Sequence, residues 1–134
     1  LGKAVGFCGT PADRADLEAR GLTFVEDGYA ELACAGLASG ETVADYADRL
    51  ARWRSNQVLL HCLNPDRTVI HQGETMICAG ALADAYEALG GKVCWYGKPY
   101  PSVYDYALRM AGSPPREKVL AIGDGLQTDV LGAA

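Results

Sequence analysis

The chain has 134 residues and a formal net charge of −5, and its basic residues form no cluster, which argues against nucleic acid or an anionic membrane as its main partner. Hydrophobic residues make up 49% of the sequence, enough to bury one core, and no apolar run reaches the roughly 18 residues that a membrane span needs. Five scattered cysteines without a C-x-x-C spacing are expected to be reduced core residues, and the absence of a signal-peptide pattern predicts a cytoplasmic protein.

The first part of the chain alternates between strand-like and helix-like segments. An apolar run at 3–9 predicts a strand, and Thr10 followed by Pro11 suits the N-cap and first position of a helix that ends at Gly21. Further strands are predicted over 22–25, 31–37 and 57–63. A helix is predicted between the last two, because apolar residues recur there every three or four positions. These are Val43, Tyr46, Ala47, Leu50 and Trp53.

The second part continues this alternation. A hairpin is predicted from strands at 67–71 and 76–77, and the remaining predicted elements are a helix at 79–89, a strand at 92–96, a helix at 102–110, a strand at 118–122 and the start of another helix. Strands that alternate with helices are typical of a parallel α/β sheet. We therefore predict an α/β fold in which residues 1–91 form one unit and residues 92–134 belong to a doubly wound, incomplete sheet.

Polar residues follow two of the predicted strands where each strand ends. Lys98 follows one strand and Asp124 the other, and the carboxyl ends of parallel strands are where ligands collect. Glycines on both sides of Asp124, one of them Gly125, allow a tight turn, and Asp129 lies near the next helix N-terminus beside Thr128. Two carboxylates suit Mg²⁺, and Lys98 could neutralise charge at a phosphate. An ordinary loop aspartate and a solvated lysine remain alternatives to this interpretation.

Four motifs occur in a fixed order along the chain. They stand at 63–66 (Leu-Asn-Pro-Asp), 78–82 (Cys-Ala-Gly-Ala-Leu), 97–99 (Gly-Lys-Pro) and 123–130 (Gly-Asp-Gly-Leu-Gln-Thr-Asp-Val). The last two resemble the third and fourth motifs of the haloacid dehalogenase superfamily, and the whole series is similar to its class IIA, NagD-like phosphatases. The resemblance implies a class II α/β cap over residues 1–91 and part of a Rossmann-like core over residues 92–134.

The resemblance also implies an activity, the Mg²⁺-dependent hydrolysis of small phosphate monoesters through an aspartyl-phosphate intermediate. In that scheme Lys98 is the catalytic lysine, Asp124 and Asp129 bind the metal, and Gly125 and Thr128 support them. The family's nucleophilic aspartate and its Ser or Thr motif have no counterpart in this sequence. We therefore expect the chain to be the cap and part of the core of a longer enzyme, and to be inactive by itself.

The cap of this family carries the loop that selects the substrate, a small phosphorylated metabolite. By position, Asn64, Asp66 and Arg67 correspond to that loop or its edge, and Arg67 is a cation that could meet an anionic substrate. The alternative is a turn in which the Asn and Asp side chains bond their own backbone.

Two other classes of function remain open at this point. Caps of the family often supply dimer contacts, so the chain could be a non-catalytic module that forms a homodimer. A dinucleotide-binding α/β protein is suggested by Gly123-Asp124-Gly125, but it is disfavoured because Thr128 replaces the third glycine of a G-x-G-x-x-G pattern.

Overall fold

The computed structural model describes residues 4–134, which divide into two compact units. The first unit ends at Trp95 and the second spans Tyr96–Ala134. Lys3, where the first predicted strand begins, lies outside the described residues. None of the helices within residues 4–134 has the length and apolar character needed to cross a lipid bilayer.

The elements follow one another in a mixed α/β order. The strands of residues 4–134 are Val5–Cys8 (β1), Glu31–Cys34 (β2), Leu59–Cys62 (β3), Thr68–His71 (β4), Glu74–Ile77 (β5) and Lys92–Trp95 (β6). The helices are Pro11–Ala19 (α1), Ala47–Ser55 (α2), Ala79–Ala88 (α3), Pro101–Met110 (α4) and Leu131–Ala133 (α5). Single turns of 3₁₀-helix at Val43–Tyr46 and Arg116–Lys118 and a π-helical turn at Leu126–Val130 complete the regular structure of this range.

The first unit is built on a parallel sheet with the strand order β1-β2-β3-β6. Leu32 and Leu60 lie in the middle of β2 and β3 and are fully buried, which stabilises the fold by about 1.5–3 kcal/mol for each side chain. Successive strand residues point to opposite faces, so the neighbours of Leu60 at positions 59 and 61 are only half-buried. The predicted α/β fold with a parallel sheet is confirmed.

Helices α2 and α3 cover the buried face of the sheet. Their core residues recur at helical spacing: Tyr46, Leu50 and Trp53 around α2, and Ala79, Leu82, Ala83 and Tyr86 in α3. The hydroxyl of Tyr86 donates a 2.6 Å hydrogen bond to the carbonyl oxygen of Val58, so this buried polar group is paired. The predicted amphipathic helix is therefore present, with its first turn in the tighter 3₁₀ form.

The predicted helix start at Thr10 is confirmed in atomic detail. The backbone N–H of Asp13 donates to the Thr10 hydroxyl at 3.2 Å, and the Thr10 N–H donates to the Asp13 carboxylate at 3.0 Å. This reciprocal pair satisfies two amides that the first helical turn leaves without partners, and Pro11 follows at the first helical position.

The predicted hairpin is also present, as the antiparallel pair β4 and β5. The two residues that connect the strands, Gln72 and Gly73, have φ angles of 52° and 82°. Positive φ at both positions is the requirement of a type I′ turn, whose twist matches that of the flanking strands. The glycine is needed here because it adopts this conformation at no steric cost.

Two predicted strands are wrong. Residues 22–25 contribute a single bridge, between Phe24 and Val5, and residues 118–122 form no strand. Leu120 and Ile122 are 81% and 88% exposed. An apolar run becomes a strand only where another strand accepts its backbone hydrogen bonds, and within residues 4–134 no segment pairs with 118–122.

The first compact unit includes β6. The sequence placed the boundary at residue 91, whereas the first unit continues to Trp95 because β6 pairs with β3 in the same sheet. The assignment of the two parts as cap and core stays a prediction.

Candidate functional site

The second unit brings Lys98 and Asp129 into direct contact. The Lys98 ammonium donates a 2.5 Å hydrogen bond to the Asp129 carboxylate. Lys98 follows Gly97, whose φ of 88° lies in the left-handed region, and the N–H of Tyr100 donates to the Gly97 carbonyl at 2.9 Å. A tight turn after β6 therefore positions the lysine, and glycine makes that turn accessible.

Asp129 closes a second turn, which begins at Gly123. The N–H of Gly125 donates to the Asp129 carboxylate at 3.1 Å. A Cβ atom at Gly123 would overlap the Asp129 side chain, and one at Gly125 would overlap the Thr128 hydroxyl. Neither position therefore has room for a side chain. This lack of room is the physical reason for the glycines on both sides of Asp124.

Tyr104, in helix α4, attaches this turn to the helix. It was not among the residues predicted from the sequence. Its hydroxyl donates to the Thr128 carbonyl oxygen at 3.3 Å, and its ring lies where a Cβ atom at Gly132 would be. The contact joins residues 24 positions apart, and no short motif includes Tyr104. A single sequence carries no signal for such a contact.

The charge on Asp129 is stabilised by its surroundings. The Lys98 ammonium, followed by the N–H of Gly125, lowers the pKa of the Asp129 carboxyl below its ordinary value. The Asp129 side chain is 16% exposed, whereas that of Lys98 is 52% exposed, so the lysine also faces solvent. The site therefore presents an ionised carboxylate beside a partly exposed cation.

The oxygen donors of this turn suit a divalent metal that takes most of its ligands from other groups. Within residues 4–134, no group of three or more His, Cys, Asp or Glu side chains is arranged to hold a metal ion. Asp124 is exposed on the turn that Asp129 closes, so the two carboxylates could supply two oxygen ligands. Mg²⁺ is commonly bound by one or two carboxylates together with waters and a substrate phosphate.

The other predicted site residues, Asn64, Asp66 and Arg67, belong to the first unit. The Asn64 side-chain oxygen accepts a 3.2 Å hydrogen bond from the Asp66 N–H, which is the turn chemistry that the alternative interpretation predicts. Arg67 donates two 2.9 Å hydrogen bonds to Asp84, and its guanidinium lies 4.9 Å from the centre of the Trp95 ring. The cation is therefore held in a fixed position and remains 49% exposed.

Helix α3 supports this turn by an unusually close approach at Gly80. Its N–H donates to the Asp66 carbonyl oxygen at 3.0 Å, and a Cβ atom there would lie only 2.6 Å from the same oxygen. We expect Gly80→Ala to lower the free energy of unfolding by about 1–3 kcal/mol, because backbone on both sides must move. Thermal denaturation measures this loss.

Gly36 provides a matched control for the Gly80 variant. A Cβ atom at Gly36 meets nothing within 4 Å, so Gly36→Ala should leave the melting temperature nearly unchanged. Equal melting temperatures for the two variants would contradict the close approach at Gly80.

Comparison with known proteins gives the chain clear structural relatives. A hydrolase of the haloacid dehalogenase-like family from Brucella suis 1330 superposes with a TM-score of 0.89 at 35% identity, over 98% of this chain and 53% of that one. The 4-nitrophenylphosphatase of Thermotoga maritima gives 0.75 at 25% identity, over 97% and 49%. A putative NagD protein gives 0.75 at 25% identity, over 97% and 51%. The chain thus spans about half the length of these structures.

Two matches concern the C-terminal part of the chain or a short stretch of it. The HAD-hydrolase-like family model matches residues 95–134, the range that contains Lys98, Asp124 and Asp129. Pyrimidine 5′-nucleotidase YjjG of Escherichia coli K12 is 49% identical over 35 residues, which are 26% of this chain and 16% of that protein.

Proposed function

Since the chain belongs to the haloacid dehalogenase superfamily, in its NagD-like branch, we propose that it is the cap and part of the core of a phosphatase that hydrolyses small phosphate monoesters. The observation that carries the proposal is the ion pair between Lys98 and Asp129 on a turn that also bears Asp124. Phosphatases of this superfamily generally use a divalent metal, and we propose Mg²⁺ held by Asp124 and Asp129.

In this proposal each residue of the turn has a separate task. The Lys98 ammonium binds the phosphate oxygens and offsets their charge against an attacking carboxylate, which is electrostatic stabilisation by a preorganised donor. The N–H of Gly125 holds the Asp129 carboxylate in place, and the N–H of Thr128 closes the turn by donating to the Gly125 carbonyl oxygen. The metal, when bound, supplies a Lewis acid that polarises the phosphoryl group.

The attacking aspartate must come from outside these 134 residues, because the family's nucleophile motif has no counterpart in them. The proposal therefore predicts that the coding sequence upstream of Leu1 specifies an apolar strand ending in Asp-x-Asp or a close variant. It also predicts that an aspartyl-phosphate forms on that residue and is then hydrolysed.

We assign substrate selection to the turn that bears Asn64, Asp66 and Arg67. The supporting observation is that Asp84 and Trp95 fix the Arg67 guanidinium while about half of it stays exposed. A fixed, exposed cation is suited to an anionic group of a substrate. We further propose a cytoplasmic location, which the five free cysteines support, and a homodimer formed through the cap.

Phosphate release from the full-length protein tests the proposed function. We expect Mg²⁺-dependent turnover of 4-nitrophenyl phosphate and of a subset of sugar phosphates, nucleoside monophosphates, pyridoxal phosphate and phosphoglycolate. Arg67→Ala should raise KM for the preferred ester more than for 4-nitrophenyl phosphate, and the 134-residue chain alone should be inactive. Metal-independent turnover, or turnover by the chain alone, would contradict the proposal.

A further inference from the structure

Three cysteines lie side by side at the carboxyl ends of neighbouring parallel strands. Cys8 ends β1, Cys34 ends β2 and Cys62 ends β3, and the register aligns Cys8 with Cys34 and Cys34 with Cys62. Because aligned residues of adjacent strands point to the same face of a sheet, the three thiols form a row. All three are buried in the core, and Cys8, at 5% exposure, is the most accessible of them.

The spacing within this row suits a covalent bond between neighbours. Adjacent strands lie about 4.8 Å apart, within the range of about 4.4–6.8 Å that the Cα atoms of disulfides span. The Ala35 N–H donates to the Cys8 carbonyl oxygen at 2.8 Å, which extends the pairing of the two strands beyond Cys34. The strand pairing therefore places the Cα atoms of Cys8 and Cys34 within the range that a disulfide spans.

The neighbours of Cys34 are chemically unequal. The Cys8 thiol donates to the Gly36 carbonyl oxygen at 3.4 Å, and the neighbouring Cys34 thiol, followed by the Arg49 guanidinium, lowers the pKa of Cys8 against the effect of burial. On the other side, burial raises the pKa of Cys62 to about 11, and its thiol donates to the Asn64 carbonyl oxygen at 3.3 Å. Because oxidation of a thiol depends on its exposure as well as on its thiolate character, Cys8, the most accessible of the three, is the first thiol of the row to react.

We propose that Cys8 and Cys34 form an oxidative modification site that a peroxide converts into a disulfide. The Cys8 thiolate attacks one peroxide oxygen, the O–O bond breaks, and the leaving hydroxide takes a proton to become water. The Cys34 sulfur then attacks the sulfur of the resulting sulfenic acid, and the sulfenic OH leaves as water with the Cys34 proton. Two thiols are oxidised by two electrons and one peroxide is reduced.

Peptide mapping of the native 134-residue chain tests this site. Trypsin places each cysteine in a different peptide, since cleavage is expected after residues 3, 14, 20, 49, 52, 54, 67, 92, 109, 116 and 118. After brief treatment with hydrogen peroxide and thiol blocking, we expect the peptide pair 4–14 and 21–49 at a level at least about tenfold above any other pair, because the folded sheet sets the effective concentration. Dithiothreitol should separate this pair.

Controls distinguish the folded geometry from general thiol reactivity. The same treatment in urea should give disulfides between many cysteine pairs with no preferred pair. Cys62→Ser should leave the yield of the disulfide between Cys8 and Cys34 unchanged. Cys34→Ser should leave a sulfenic acid on Cys8 that dimedone traps. A dominant 34–62 pair in the native chain, or oxidation of Cys8 to sulfonic acid without cross-linking, would overturn the proposal, and the wild-type map decides this even if a variant does not fold.

Discussion

Replacing Lys98 by methionine should lower kcat/KM of the proposed full-length phosphatase by about 10²- to 10³-fold, the loss expected when one preorganised electrostatic donor is removed from a reacting centre. Methionine keeps most of the length of the side chain and removes the charge that contacts Asp129. Lys98→Arg should retain part of the activity, because the positive charge remains while the compact ammonium is replaced by the larger, planar guanidinium. Phosphate release under saturating Mg²⁺ measures both variants.

Lys118 offers a control in the same unit. It is an exposed lysine on the 3₁₀ turn at Arg116–Lys118, and Lys118→Met should leave kcat/KM unchanged. If Lys98→Met kept full activity, the assignment of Lys98 to the reacting phosphate would be wrong. A comparable loss in both lysine variants would show that net charge, and not the position of Lys98, controls the rate.

The same substitution has a second readout that needs no turnover. The pKa of the Asp129 carboxyl is lowered chiefly by Lys98, so it should rise toward its ordinary value in Lys98→Met. The sign follows from linkage: in the wild type the pair is complete above the ordinary carboxyl pKa and is lost as pH falls through the lowered value. Carbon-13 NMR of the carboxyl group in the 134-residue chain follows this titration.

The sequence predicted those parts of the fold that depend on local chemistry. The cap at Thr10 and the turn at Gln72 and Gly73 each follow from a few neighbouring residues, and each is present. The strand at 118–122 was wrong for a different reason. Apolar character reports a tendency to be buried, whereas a strand also needs a partner for its backbone, which a local pattern does not show.

For the candidate site, the sequence offered candidate residues but did not show how they are held. Glycines beside Asp124 indicated a tight turn, and the structure gives the reason, since Asp129 and Thr128 fill the space of their missing side chains. The pairing of Arg67 with Asp84 connects positions 17 apart across the fold. Such contacts depend on how the chain packs, which cannot be read from the spacing or the composition of a single sequence.

Asp124→Asn should reduce Mg²⁺-supported turnover of the proposed full-length phosphatase by at least about 100-fold, more than is typical for loss of an outer-shell partner of a metal site. The amide keeps the shape of the side chain and removes the negative charge that a hard divalent cation requires. A titration of activity against Mg²⁺ concentration measures the effect, and the midpoint should move to higher metal concentration. The exposed Glu117, changed to Gln, is the matched control.

Comparison with Asp129→Asn separates metal binding from the integrity of the turn. Asp129 accepts hydrogen bonds from Lys98 and from the Gly125 N–H, so its substitution disturbs the turn as well as the metal. Asp124 is exposed, and its substitution should leave the backbone signals of residues 123–129 in place. An Asp124→Asn enzyme with normal turnover and normal metal dependence would remove Asp124 from the metal site. If its turnover fell while the Mg²⁺ midpoint stayed fixed, Asp124 would act on the substrate and not through the ion.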